Sequence, residues 1–464
     1  MRVHAFTDDV LADLDAVGLA EQLASRRIGA VEVVEAAIAR TERLAELNPM
    51  AYRAYDRARG QAATGTDGFF AGVPTVVKDN VDVAGMPTGA GTDAWAPRPA
   101  KRNGDFADMY LGTGLVALGK SQLSEYGFSA AAEHPRLGPV RSPWDPERTA
   151  GASSSGAAVL VAGGAVPIAH ANDGGGSIRI PASVNGLVGL KPTRGRLAQD
   201  RVHRDQPIRI VSDGVLTRTV RDTAAFYREA ERRYRPLALP PIGDLTRPLR
   251  RRLRIALNTT GVDRGADAAT TALVHRVAAQ LEDLGHAVTE TDAPVPASFP
   301  DDFLLYWASL SLALLSSGRL VHGSSWDRSR HDNLTLGLAR HARRNLHRLP
   351  GAIARLRRTE AAAELYYDKY DVALTPTVAT ATPLVGHLDP TLDYEVVLQR
   401  LLDWVAFTPW QNVTGAPAIS LPLARTSTGL PQGVMFGAQP GAEALLIELA
   451  YELEEACGFA RIQG

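Results

Sequence analysis

The segment Asp173-Gly174-Gly175-Gly176-Ser177-Ile178-Arg179 sets three glycines directly before a serine, at the end of an apolar run. Lacking Cβ atoms, such residues can turn several backbone N–H groups toward one point. That geometry stabilises the charge that builds on a carbonyl oxygen under attack, and a serine hydroxyl beside it is placed to make the attack. The hydroxyl needs a base. A second run, Gly151-Ala152-Ser153-Ser154-Ser155-Gly156, offers further hydroxyls. Taken alone, each run reads more readily as a turn or a helix start than as a nucleophile. Neither has the Gly-x-Ser-x-Gly form of a nucleophile elbow, because Ser155 stands where the second glycine belongs. This counts against an α/β-hydrolase.

Lysine is the rarer candidate base. It occurs only at positions 78, 101, 120, 191 and 369, so 45 of the 50 basic residues are arginine. Arginine stays protonated at any working pH, whereas a buried lysine can lose its proton. A chain that builds its surface charge from arginine has little generic use for lysine, so each of the five is a candidate for a task only an amine can do. Lys120 also ends a Walker A match, Gly114-Leu115-Val116-Ala117-Leu118-Gly119-Lys120-Ser121. A phosphate cradle needs a loop of backbone N–H groups between strand and helix. Here the four central residues read as the strand itself, with Lys120 near the sheet edge. No loop is left to wrap a phosphate, and nucleotide binding is declined.

Hydrophobic content of 45% with 22% charged residues describes a chain able to bury a large core. The net charge of −1 gives no global field for nucleic acid or an anionic membrane. Cys457, the single cysteine, excludes a disulfide framework or a thiolate metal cluster within one chain and fits a cytoplasmic setting. The first residues are acidic and lack the basic start and apolar stretch of a secretory signal. The densest apolar run, 303–315, is too short and serine-broken for the roughly 20 apolar residues of a membrane span. Its spacing of Phe303, Trp307, Leu310 and Leu314 is helical. A core helix is the expectation, a hydrophobic substrate wall the alternative.

Two helices are expected to open the chain, the second over 31–47 with Val34, Ala37, Ile38, Thr41 and Leu44 on one face. A strand over 73–77 then delivers Lys78 at its end, and strand-like runs follow at 115–118, 166–169 and 187–190. A Pro-rich connection over 236–248 leads into a strand–helix–strand unit: 253–257, a helix carrying Val274, Val277, Leu281 and Leu284, then 287–289. That alternation predicts an α/β fold with a largely parallel sheet. The basic run 340–358, broken at Pro350, reads as a solvated helical face.

The joint spacing is more specific than any single run. Gly72-Val73-Pro74-Thr75-Val76-Val77-Lys78-Asp79, the serine run 75 residues after Lys78, and Ser177 another 24 on resemble the amidase signature family. The resemblance continues through 186–193, 213–222, 374–377, 412–420 and 429–433. It implies a large mixed, largely parallel twisted sheet flanked by helices on both sides. It also implies one domain over 1–464, with a catalytic core about 70–225 and a C-terminal part about 250–464 completing the sheet and the pocket. Carried over residue by residue, Ser177 matches the nucleophile, Ser153 the relay serine after a cis peptide bond, and Lys78 the base. The N–H groups of Gly174, Gly175 and Gly176 match the oxyanion hole. Asp173 and Arg179 match a charged pair bracing the glycine turn, and Ser154 a supporting hydroxyl; Lys191 reads as structural.

The resemblance implies an amide hydrolase acting on a small-molecule amide without metal or other cofactor, nucleic-acid partner or membrane span, with homo-oligomerisation left open. Four departures stand out. Ala152 and Ser155 occupy positions where glycine is usual. Asn172 stands where Thr or Ser is common, five residues before the nucleophile, and Gly174 where Thr or Ile is common. The competing readings are a glutaminase subunit of a tRNA-dependent amidotransferase, a non-catalytic binding protein on the same fold, and a metal-dependent amidohydrolase. No His/Asp ligand spacing supports the last.

Overall fold

A computed structural model describes residues 2–463. The site rests on two sheets. The strands used below are β1 (Met50–Arg53), β2 (Pro74–Lys78), β3 (Val116–Ser121), β4 (Ile168–Asp173), β5 (Val188–Lys191) and β6 (Ser212–Thr217). They continue as β7 (Arg254–Leu257), β8 (Ala287–Glu290), β9 (Val372–Pro376), β10 (Ala418–Arg425) and β11 (Pro431–Gly437). The large sheet has eight strands in the order β8-β7-β9-β11-β10-β5-β6-β4, and the small one three in the order β1-β3-β2. β2 lies against β4: Thr75 Oγ1 donates to the Ile168 carbonyl at 2.9 Å and the Lys78 N–H to His170 Nδ1 at 3.1 Å.

The sheet is mixed, as expected, but it is not largely parallel. Only β8/β7 and β7/β9 pair parallel in it, and the other five pairings are antiparallel. The strand–helix–strand unit was read correctly, and its two strands do run parallel. The error lies in the rest of the sheet: β9, β11 and β10 pair antiparallel in turn, and β10 runs antiparallel to β5. β4 and β5 have the same direction, but β6 is inserted between them and pairs antiparallel with both. Alternation along the chain reports the direction of successive strands, not which strand is inserted later.

The opening helices are Ala16–Ala24 and Ala30–Arg43, the latter burying Val34, Ala37, Ile38 and Thr41. The main core draws on both sheets and on these helices, from Ala5 to Leu453. Both serine runs are helix starts, which the turn reading anticipated. Ser154 precedes the wholly buried helix Ser155–Ala162, and Ser177 lies just ahead of Arg179–Asn185. The Walker-like segment is strand through Lys120, as the apolar residues dictated, though Lys120 sits in the middle strand rather than near an edge. The basic run divides just before Pro350, at the short turn Leu346–Arg348 between Asn333–Asn345 and Leu349–Lys369, and the proline lies in the first turn of the second helix.

The helix around 303–315 is longer than its apolar run, spanning Phe299–His322 over 24 residues. By length and mean hydropathy of 1.3 this helix passes a membrane-span test. In the fold, however, Leu304, Leu305, Tyr306, Ala308 and Leu315 are buried against protein, and Asp302 pairs with Arg355.

Candidate active site

Lys78 ends β2 with its side chain fully buried. Its Nζ lies 2.7 Å from Ser153 Oγ, 2.7 Å from Asn172 Oδ1 and 3.3 Å from the Asn172 carbonyl. Burial pushes the amine down from 10.5 to about 7, and the more distant carboxylates of Asp173 and Asp213 offset this only in part. The strand end that carries it is held from behind. His170 Nδ1 accepts the Lys78 N–H, and His170 Nε2 lies 3.2 Å from Asp213 Oδ1. Because Nδ1 accepts, the neutral imidazole carries its proton on Nε2 and donates it to Asp213. Burial lowers the pKa of this histidine against the pull of Asp213.

Ser153 follows a cis peptide bond from Ala152. Ser154 Oγ donates to the Ser177 carbonyl at 2.6 Å and lies 3.3 Å from the Asn172 carbonyl. The hydroxyl thus ties the serine run to the nucleophile turn. Ser153, Asn172, Gly174, Gly175 and Ser177 all line one cavity, and Lys78 sits behind its wall.

The glycine turn is braced from below by a closed network. Arg179 Nε and Nη2 meet the two Asp173 carboxylate oxygens at 2.8 and 2.9 Å, with neither side chain exposed. Burial alone would raise the Asp173 pKa, but the charge and hydrogen bonds of Arg179 hold it well below the carboxylate range. Asn412 completes the brace: its Oδ1 accepts from Arg179 Nη2 at 2.7 Å and its Nδ2 donates to Asp173 Oδ1 at 2.8 Å. Gln411 Oε1 accepts from Arg179 Nη1 at 3.0 Å. Thr408 Oγ1 donates to the Gly175 carbonyl at 2.5 Å.

One assignment changes. The Gly176 N–H donates to Asp173 Oδ1 at 2.7 Å, so it belongs to the brace rather than to an oxyanion hole. The N–H groups of Gly174 and Gly175, and that of Ser177 itself, are not committed in this way. Gly176 is required for another reason. Its φ is +134°, and an added Cβ would lie 2.4 Å from Thr408 Oγ1.

The cavity measures about 920 Å³. Phe303, Trp307, Leu310 and Leu314 form one wall, so the apolar stripe of the long helix faces the cavity, while Phe303, Trp307 and Leu310 also pack against buried clusters beside it. Leu401, Leu402, Val405 and Pro409 line it from the helix Tyr394–Trp404 and the segment after it. The only formal charges among the lining residues are Arg201 and Asp205, which pair with each other at 2.9 Å on exposed side chains. Burial lowers the pKa of both lining histidines, His203 and His322.

Three of the five lysines are fully buried: Lys78, Lys120 and Lys191. Lys120 Nζ donates to the Val81 carbonyl at 2.6 Å and Lys191 Nζ to the Pro192 carbonyl at 2.7 Å, which are structural tasks. Asn80, His170, Asp213, Thr408, Gln411 and Asn412 were not singled out from sequence. Asn80 stands two residues after Lys78, and Asp213 and Asn412 open segments that carried the family resemblance. Among the described residues no group of three or more His, Cys, Asp or Glu converges to hold a metal.

The Amidase family model matches residues 32–447. A Mycobacterium bovis protein named amidase AmiC is 61% identical over 99% of this chain and 98% of its own length. The 6-aminohexanoate-cyclic-dimer hydrolase of Pseudomonas sp. (strain NK87) is 30% identical over 95% of this chain and 94% of its own. A structure of 6-aminohexanoate cyclic dimer hydrolase complexed with substrate superimposes with a TM-score of 0.87. It shows 29% identity and covers 97% of this chain and 98% of that one.

Proposed function

The chain belongs to the amidase signature family and is an amide hydrolase, and from that premise we propose that Ser177, Ser153 and Lys78 carry the reaction. Ser177 Oγ attacks the amide carbonyl. Its proton passes to Ser153 Oγ while the Ser153 proton passes to neutral Lys78. The N–H groups of Gly174, Gly175 and Ser177 hold the oxyanion. The C–N bond breaks as the Lys78 ammonium returns its proton, again through Ser153, to the leaving amine. Water then attacks the seryl ester by the same relay and releases the acid, restoring the hydroxyl. Every proton is moved by side chains of this chain, with no metal or cofactor.

The observation that carries this reading is the 2.7 Å contact between Lys78 Nζ and Ser153 Oγ, with the amine buried and its pKa lowered to about 7. A lysine near its ordinary pKa would be protonated at neutral pH and could not accept the proton.

The cavity supports an uncharged substrate with a large apolar group. Burying a charged group costs several kcal/mol unless it is paired, and inside the rim no side chain offers a counter-charge. Glutamine carries an ammonium and a carboxylate, so this wall favours a stand-alone amidase over a glutaminase subunit. The strands around the site come from both halves of the chain, which supports one catalytic unit, and the single cysteine supports a cytoplasmic one.

The test is hydrolysis of a panel of aryl and alkyl amides alongside glutamine, with Lys78→Ala as blank. Turnover of apolar amides by the parent, and none by the variant, is expected. Glutamine as the best substrate would move the assignment to the glutaminase, and equal turnover by the variant would remove Lys78 as base.

A further inference from the structure

Asn172 departs from the Thr or Ser usual at its position, and its side chain is one of only two side-chain partners of the Lys78 amine. A neutral amine has two N–H bonds and one lone pair. Three oxygens surround Nζ: Ser153 Oγ, Asn172 Oδ1 and the Asn172 carbonyl. Both Asn172 oxygens can only accept, so they take the two N–H bonds. The lone pair is left for Ser153, the one neighbour with a proton to give. Were the Asn172 amide turned over, its NH₂ would face Nζ and compete for that lone pair.

A second amide holds the first. Asn172 Nδ2 donates to Asn80 Oδ1 at 3.1 Å, and Asn80 Nδ2 donates to Asn172 Oδ1 at 3.3 Å. Asn80 rides on the same turn as the base, its N–H donating to the Lys78 carbonyl at 2.8 Å. It is half-buried and lines the cavity. We propose that Asn80 and Asn172 are a positioning pair that aims the Lys78 lone pair at Ser153 and does so without placing a negative charge on the amine. This rests on the reading of Lys78 as base.

Charge matters because the other groups facing Lys78 are already engaged. Asp173 is paired with Arg179, Asp213 is bonded to His170, and His170 and His203 are kept neutral by burial. A carboxylate in direct contact would favour the ammonium, and an opposite charge within 4–6 Å typically moves a pKa by about 1–3 units.

Three variants test the pair by pH profiles of kcat and KM on an apolar anilide. Asn172→Asp is expected to move the acid limb of kcat/KM up by at least about one pH unit, losing roughly fivefold or more at pH 7 and recovering toward pH 9. Asn80→Ala is expected to lower kcat roughly ten- to hundredfold with KM little changed. Asn80→Asp keeps an acceptor for Asn172 Nδ2 and should restore most of that loss on the alkaline plateau. An acid limb that coincides with the parent's in Asn172→Asp would overturn the inference, as would an Asn80→Ala defect confined to KM or to melting temperature. If Asn172→Asp does not fold, the two Asn80 variants decide, since that side chain lies at the cavity wall. Lys78→Ala separates the two levels. If it is inactive while the asparagine variants behave as parent, only the positioning pair fails; if it is active, the base assignment fails.

Discussion

Replacing Lys78 by methionine should change how stability depends on pH as well as abolish turnover. The amine is fully buried, and its pKa is lowered from 10.5 to about 7. Between those values the unfolded chain holds the proton and the folded chain does not. The unfolded state therefore binds more protons, and the free energy of unfolding rises with pH across that window. At about 1.36 kcal/mol per pH unit, this one group raises stability by roughly 2 kcal/mol between pH 7 and 9. Lys78→Met removes the rise. Lys191, also lowered to about 7 by burial, remains in both proteins and cancels in the comparison. The absolute gain at pH 7 is offset because Ser153 and Asn172 lose a partner, so the informative quantity is the change in the difference with pH. Urea midpoints of parent and variant at pH 7, 8 and 9 measure it: the variant's advantage should shrink steadily as pH rises. A difference constant from pH 7 to 9 would mean that Lys78 keeps its proton throughout, and the argument for it as a base would collapse.

The same lowered pKa places the acid limb of the parent's kcat/KM profile near pH 7, with activity rising through it; a limb above pH 9 would contradict the buried-amine account. Gly176→Ala should remove most activity, because its φ of +134° and the 2.4 Å approach to Thr408 Oγ1 leave no room for a methyl group; full activity in the folded variant would show that the turn can move aside. Arg179→Met should destabilise by about 3–5 kcal/mol, because it leaves the Asp173 carboxylate buried without its partner; a melting curve within error of the parent's would refute the brace. Trp307→Ala should lower kcat/KM for bulky apolar amides by roughly tenfold more than for acetamides, since the indole forms cavity wall; equal losses on both would place the substrate elsewhere.

Six of the eleven strands were legible as short apolar runs bounded by glycine and proline, whereas β1, β6, β9, β10 and β11 were not read as strands. The start of β2 before Lys78 and the unit β7–helix–β8 were both read to within about two residues. Sheet order was not legible, since nothing in the spacing reveals that β6 inserts between β4 and β5. The stripe Phe303, Trp307, Leu310 and Leu314 has the same period whether it faces a core or a cavity, and only tertiary packing separates the two. Ser153, Ser177 and Lys78 were singled out through their joint spacing, and the fold brings Lys78 into contact with Ser153 and sets Ser153 and Ser177 on one cavity. The brace partners Gln411 and Asn412 lie more than 230 residues from Arg179 in sequence, and His170 reads as an ordinary strand residue. The Gly176 assignment was misread because a glycine N–H near an oxyanion and one claimed by a carboxylate look the same in a Gly-Gly-Gly-Ser run.

The most direct test of the account is the covalent intermediate. A slowly deacylating aryl amide, quenched during turnover and digested, should leave the acyl mass on the peptide containing Ser177 in the parent and on no peptide in Ser177→Ala. An acyl group found on another residue, or turnover undiminished in Ser177→Ala, would contradict it.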